Sequence, residues 1–169
     1  MIERAFLDFS VAKLRQYVER IQACTDLLTE DAIWARGHAV ENSIGNLCLH
    51  LRGNVQQWIV AGVGGTEDVR DRASEFAAKG GASRADLMAG LRQTVESACA
   101  VITSLNAACL VDEIAIQGYH QTTLEAIYHV VEHFAGHTGQ IIFATKALRG
   151  EDLGFYRHLS DTSHGKVTP

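Results

Sequence analysis

Four long stretches of this chain repeat their apolar residues at steps of three and four, and no proline interrupts any of them. The first carries Leu7, Val11, Leu14, Val18, Ile21, Thr25 and Leu28; the second Ile44, Leu47, Leu51, Asn54 or Val55, and Trp58. The third carries Leu87, Leu91, Val95, Ala98, Ile102 and Leu105, and the fourth Ile127, Val130, Phe134, His137, Ile141, Ala144 and Leu148. That spacing collects apolar side chains on one face of a helix, and each such face must be buried against another. The single proline is Pro169, so no helix is broken internally. Aromatics make up only 7% of the residues, and good helix formers are common. The pattern predicts an all-α four-helix bundle.

Boundary signals place the helices. Helix one spans roughly 2–28, and 29–41 is a connection without a strong period, in which Trp34 and His38 pack over an end of the bundle or contact a ligand. The second helix opens at Asn42–Ser43 as N-cap. Residues 61–82 read as a long glycine-rich connection, with Arg70, Asp71, Arg72 and Glu75 as a local ion-pair cluster; a lid over a bundle pocket fits a loop of that length. Ser83 and Asp86 form the cap signature of helix three, and Thr122 and Glu125 that of helix four. The fourth runs to Arg149, where Gly150 provides a stop. Between them, Ile114 and Ile116 mark a short extended segment. Leu153, Phe155, Tyr156 and Leu159 are expected to fold back on the bundle. With no internal repeat and no boundary, 1–159 form a single domain and 160–169 a frayed tail.

Charge and cysteines narrow the functional classes. The net charge is −5 and there is no lysine- or arginine-rich block, so the basic footprint needed for nucleic acid is missing. No apolar run reaches the length of a membrane span. Cys24, Cys48, Cys99 and Cys109 lack a C-x-x-C spacing, and a core-rich chain of 169 residues has no need of a disulfide framework. The N-terminal M-I-E-R-A-F-L-D-F-S has no signal-peptide character. The expectation is a cytoplasmic protein acting on neither nucleic acid nor membrane.

The chemistry concentrates in H-V-V-E-H-F-A-G-H-T-G-Q, residues 129–140. His129, His133 and His137 recur at i, i+4 and i+8, so they stack along one side of the fourth helix. His137 falls where the rhythm expects a core residue, and His133 flanks the same seam. A buried imidazole is costly unless hydrogen-bonded or bound to something, and one metal ion would satisfy two. On helix two, His50 lies on the flank of the buried face and is the natural third ligand. Asn46 and Asn54, one turn to either side, are candidates to orient it. A three-histidine set leaves coordination positions open, as catalytic sites do, and imidazole suits zinc, nickel, copper or iron. His129-Val-Val-Glu132-His133 also matches the inverted zinc-peptidase pattern H-x-x-E-H, a five-residue match of low specificity. The E-x-x-H pairs of di-iron bundles are absent.

The pairing of N-S-I-G-N-L-C-L-H-L with H-x-x-x-H-T-G-Q-I resembles the DinB superfamily. The likeness extends to R-D-R-A-S-E-F and L-G-F-Y-R-H-L. It implies a four-helix bundle, often homodimeric, whose three metal-ligating histidines fall on His50, His133 and His137. Many members carry H-R-G-Q where this chain has His137-Thr138-Gly139-Gln140. Characterised relatives are metal-dependent transferases and isomerases that use low-molecular-weight thiols. The resemblance therefore implies a divalent transition metal, zinc or nickel first, a small-molecule thiol and an electrophile as partners, and a supporting role for His129. The alternative is a dimeric metal-holding or ligand-binding bundle without turnover.

Overall fold

The structure, a computed structural model, describes residues 2–160; of the predicted 160–169 tail, residues 161–169 lie outside the described residues. Four long helices form the frame: α1 (Ile2–Thr25), α3 (Ile44–Val55), α5 (Arg84–Ser104) and α6 (Thr123–Arg149). α1 packs against α5 and α6, and α3 packs against the same two, so α1 and α3 lie diagonally across the bundle. Two short helices, α2 (Glu30–Trp34) and α4 (Arg72–Ala77), and a hairpin of β1 (Glu113–Ile116) and β2 (Tyr119–Thr122) fill the connections.

The apolar rhythms bury as their spacing requires. All seven positions of the first stretch, from Leu7 to Leu28 just beyond α1, are buried, as are Ile44, Leu47, Leu51, Val55 and Trp58 of the second stretch and Leu87 to Ile102 of the third. The cap signatures close as reciprocal boxes: Ser83 with Asp86, and Thr122 with Glu125. Ser43 caps α3 with Asn46 as its partner. Gly150 ends α6 with φ 69°, a left-handed conformation that glycine adopts without a Cβ clash.

The fourth stretch departs from expectation in its second half. Phe134 and Ile141 are buried, but the burial continues through Thr138 and Thr145, while Leu148 is 54% exposed. A repeat of three and four averages 3.5, whereas an α-helix turns every 3.6 residues, so the buried stripe drifts round the helix. His137 is left on the stripe's edge, half-buried, with its ring reachable from one side.

The connections hold more structure than their composition suggests. α3 continues into a π-helical stretch, Gln56–Val63, that buries Gln57, Trp58, Ile59 and Ala61. The supposed glycine-rich loop of 61–82 is thus helical at its start and carries α4 in its middle. Trp34 lies over the start of α3, against Gly45, with its indole N–H donating to the Ala82 carbonyl at 3.1 Å; His38 is exposed. A Cβ on Gly62 would collide with Ile116, so the small residue lets the hairpin approach the π-helical stretch. The hairpin turns at Gln117 (φ 54°) and Gly118 (φ 80°), and the Gln117 side-chain amide donates to Gln57 Oε1.

Candidate metal centre

α3 and α6 pack side by side and bring His50, His133 and His137 together, with one ring nitrogen from each within 4.8 Å of the others. The tips that meet are the Nε2 atoms: His50 to His133 at 3.0 Å and His137 to His133 at 3.2 Å. Two nitrogens bound at about 2.0–2.1 Å to one tetrahedral ion lie about 3.3 Å apart, and both separations from His133 are close to that value.

The outer nitrogens explain why the rings face inward. His50 Nδ1 lies 3.0 Å from Glu75 Oε2 and 3.0 Å from an Arg70 guanidinium nitrogen. His137 Nδ1–H donates to Gln140 Oε1 at 2.8 Å, one turn on along α6. A histidine whose Nδ1 carries the proton offers the Nε2 lone pair to a metal. His133 Nδ1 is buried without a hydrogen-bond partner among the described residues.

Protonation at neutral pH favours the same use. The His133 pKa is lowered to about 3, chiefly by burial and then by the neighbouring His137, His50 and His129 and by Arg70. Burial also lowers His137, against the raising effect of its bond to Gln140, and it lowers His129 against Glu132. His133 and His137 are therefore neutral, with lone pairs free to bind. Neutral imidazoles converging from two helices suit a divalent transition metal.

The expected supporting residues are placed differently from one another. Asn46 does not touch the His50 ring: its Oδ1 accepts from Ser43 and Arg36, and its Nδ2 donates to the carbonyls of Glu75 at 2.8 Å and Ala78 at 2.9 Å. Asn54 Oδ1 is buried with no partner among the described residues, as is the indole nitrogen of Trp58 one turn on. The His129 ring packs on Trp58 at 4.3 Å and on His133 at 5.6 Å, outside the three-histidine cluster. Glu132 is exposed, so H-x-x-E-H does not assemble around a shared point here.

Glu75 is the residue that sequence reasoning under-used. Its ion pair with Arg70 was expected as a local cluster; instead it is buried against His50. Burial by itself would raise the Glu75 carboxyl, but hydrogen bonds from Arg70 and His50 outweigh it and bring the pKa below the ordinary value. Phe76 adds a tilted ring contact, its centroid 4.7 Å from that of His50, and the Arg72 guanidinium lies over the Phe76 ring at 4.8 Å. The only local hint was R-D-R-A-S-E-F itself, with Asp71 able to cap a short helix that aims Glu75 and Phe76 the same way; Asp71 Oδ1 does accept from Ser74 N.

Comparison with known proteins agrees with this frame. The family described as "Protein of unknown function (DUF1572)" matches residues 1–160. A conserved protein from Enterococcus faecalis superposes with a TM-score of 0.71 at 16% identity, covering 85% of this chain and 97% of its own. A DinB-like protein, YjoA, from Bacillus subtilis superposes with a TM-score of 0.66 at 18% identity, covering 87% and 96%. No functionally curated protein matches the sequence.

Proposed function

We propose, from the premise that this chain belongs to the DUF1572 family and has the DinB-like fold, that it binds one divalent transition metal at His50, His133 and His137 and transfers a low-molecular-weight thiol to an electrophile. The observation that carries the reading is the convergence of three Nε2 atoms at 3.0 and 3.2 Å, two of them with their outer nitrogens hydrogen-bonded. Zinc or nickel is the preferred ion, since neutral imidazole suits both.

A metal bound there would supply Lewis-acid chemistry, lowering the pKa of a coordinated thiol so that the thiolate is available at neutral pH. The chain's own contribution is positional. Three protein ligands leave at least one position open, and half-buried His133 and His137 leave it reachable. Buried Trp58 packs on His129, whose ring lies against His133, so aromatic side chains flank the site on that side. None of the chain's own buried cysteines takes the nucleophile's part: burial pushes Cys48 up to about 12 and Cys99 up to about 11. The thiol in this reading is a small molecule distinct from the electrophile. A homodimer completes the proposal.

The test is metal content per chain in protein purified without a histidine tag, followed by thiol-transfer assays on the loaded protein. About one ion per chain, lost in His50→Ala and His137→Ala and kept in His129→Ala, is the expected result. Loss in His129→Ala with retention in His137→Ala would instead favour the inverted peptidase pattern. A loaded protein that holds its metal but turns over no thiol with any electrophile class would leave a metal-holding bundle.

A further inference from the structure

Glu75 and Arg70 touch the same nitrogen of His50, yet they ask opposite things of it. Glu75 Oε2, a carboxylate oxygen, accepts only, so its 3.0 Å contact requires a proton on Nδ1. The Arg70 guanidinium donates only, so its 3.0 Å contact requires Nδ1 to be bare. A bare Nδ1 puts the ring proton on Nε2, where it points at His133 and removes a donor from the metal centre. A protonated Nδ1 frees Nε2. The pair therefore sits on the tautomer that decides whether His50 is a ligand.

In the intact chain the contest is settled in favour of Glu75. Arg70 is already engaged by the carboxylate at both ends, Nε to Oε1 at 2.7 Å and a terminal nitrogen to Oε2 at 2.8 Å, while its remaining terminal nitrogen donates to Gln57 Oε1 at 2.9 Å. The terminal nitrogen that meets Oε2 is the one beside His50, and its second hydrogen faces Nδ1; against it, the ionised carboxylate is the stronger partner, since a ring N–H bonded to a charged acceptor makes a charge-assisted hydrogen bond. The side chains of Arg70 and Glu75 are 3% and 8% exposed, so water does not substitute for either.

The fold keeps this arrangement in place at three points. Asn46 holds the Glu75 backbone carbonyl, and Asp68 accepts from Gln57 Nε2 at 2.7 Å, behind Arg70. Gly53 supplies the space: a Cβ there would overlap Glu75 Oε1 and lie 2.9 Å from Arg70 Nε, so only glycine lets the ion pair lie on α3 one turn from His50.

We propose that Glu75 is a positioning residue for the metal centre, holding His50 in its metal-binding tautomer, and that Arg70 orients Glu75 but opposes metal binding once Glu75 is gone. This rests on the metal-binding reading for its consequence and on the protein alone for its cause. Its particular claim is that losing Glu75 does more than loosen His50: it turns the ring's proton round, because Arg70 remains to donate to Nδ1.

Two measurements on the full-length chain test it. The first titrates cobalt(II), then zinc in competition, into wild type, Glu75→Gln, Gly53→Ala and the double variant Glu75→Gln/Arg70→Met. Removing a metal ligand's outer partner typically weakens binding about 10–100-fold. That loss is expected for Glu75→Gln and Gly53→Ala, with a changed cobalt absorption band, and partial recovery is expected in the double variant. The second reads the His50 tautomer directly in zinc-free protein by two-bond 1H–15N correlation, with His50→Gln to assign the signals. Wild type is expected to carry the proton on Nδ1, and Glu75→Gln and Gly53→Ala to move it to Nε2. Wild type with Nε2–H, or a tautomer unchanged in both variants, overturns the proposal. Wild type that binds no metal would sink the proposed function, yet the tautomer measurement would still decide the role of Glu75. Urea unfolding of each variant separates a positioning effect from a failure to fold.

Discussion

Replacing Asn46 with alanine tests how the α4 segment is tied to α3. Asn46 is fully buried, and its side chain meets five partners: Ser43 N, Ser43 Oγ and Arg36 donate to its Oδ1, and its Nδ2 donates to the carbonyls of Glu75 and Ala78. Truncation does not orphan all of these. Arg36 keeps the carbonyls of Phe76 and Ala78, and so Ala78 keeps a donor. Ser43 Oγ still accepts from the backbone N–H of residue 46. The groups deprived of the bond are the Ser43 N–H and the Glu75 carbonyl. Each buried polar group left unpaired costs about 1–3 kcal/mol, so losing two should destabilise Asn46→Ala by about 2–6 kcal/mol. Equilibrium urea unfolding followed by circular dichroism measures this, with the m-value expected to stay constant. The same variant should weaken cobalt(II) binding, because the Glu75 backbone is no longer held. A loss below about 1 kcal/mol would refute the reasoning, since it would mean that water reaches these groups and that the segment is not sealed onto α3.

Acid should weaken the metal-free fold through His133. Its folded pKa, about 3, lies below the ordinary 6.5, so between those values the unfolded chain takes up a proton that the folded chain refuses. The contribution is complete above about pH 6.5 and is lost as pH falls towards 3. His133→Gln should flatten the fall in urea midpoint between pH 7 and pH 4.5; an identical fall in wild type and variant would contradict it. Thiol accessibility is a further check. Cys24, Cys48 and Cys99 are buried, and burial raises the pKa of each, whereas Cys109 lies half-buried near the start of the connection between α5 and α6, its pKa raised chiefly by a hydrogen bond to Asp112. A thiol-disulfide reagent should label Cys109 in the native protein and the other three only in denaturant; rapid native labelling of all four would show that the bundle opens readily.

Much of this molecule is local in origin and could be read from the chain alone. The four helices follow from their apolar period and from the absence of proline, their starts from Ser43, Ser83 and Thr122, and the end of the last from Gly150. Each is a property of residues within a turn or two of one another. The three histidines were legible for the same reason: His133 and His137 are four apart on one helix, and His50 lies on the inward flank of another. What the period could not give was the drift of the α6 stripe, which left His137 at an edge and Leu148 exposed. Only tertiary structure decided what stands behind the three histidines. Asn46 and Asn54 share a face with His50, but the partner of its Nδ1 comes from Glu75, 25 residues away, delivered by a short helix whose docking depends on the missing side chain of Gly53. A one-turn helix, a π-helical stretch and a glycine in a helix carry no periodic signal, because their reason for being lies in the surface they meet rather than in their own sequence.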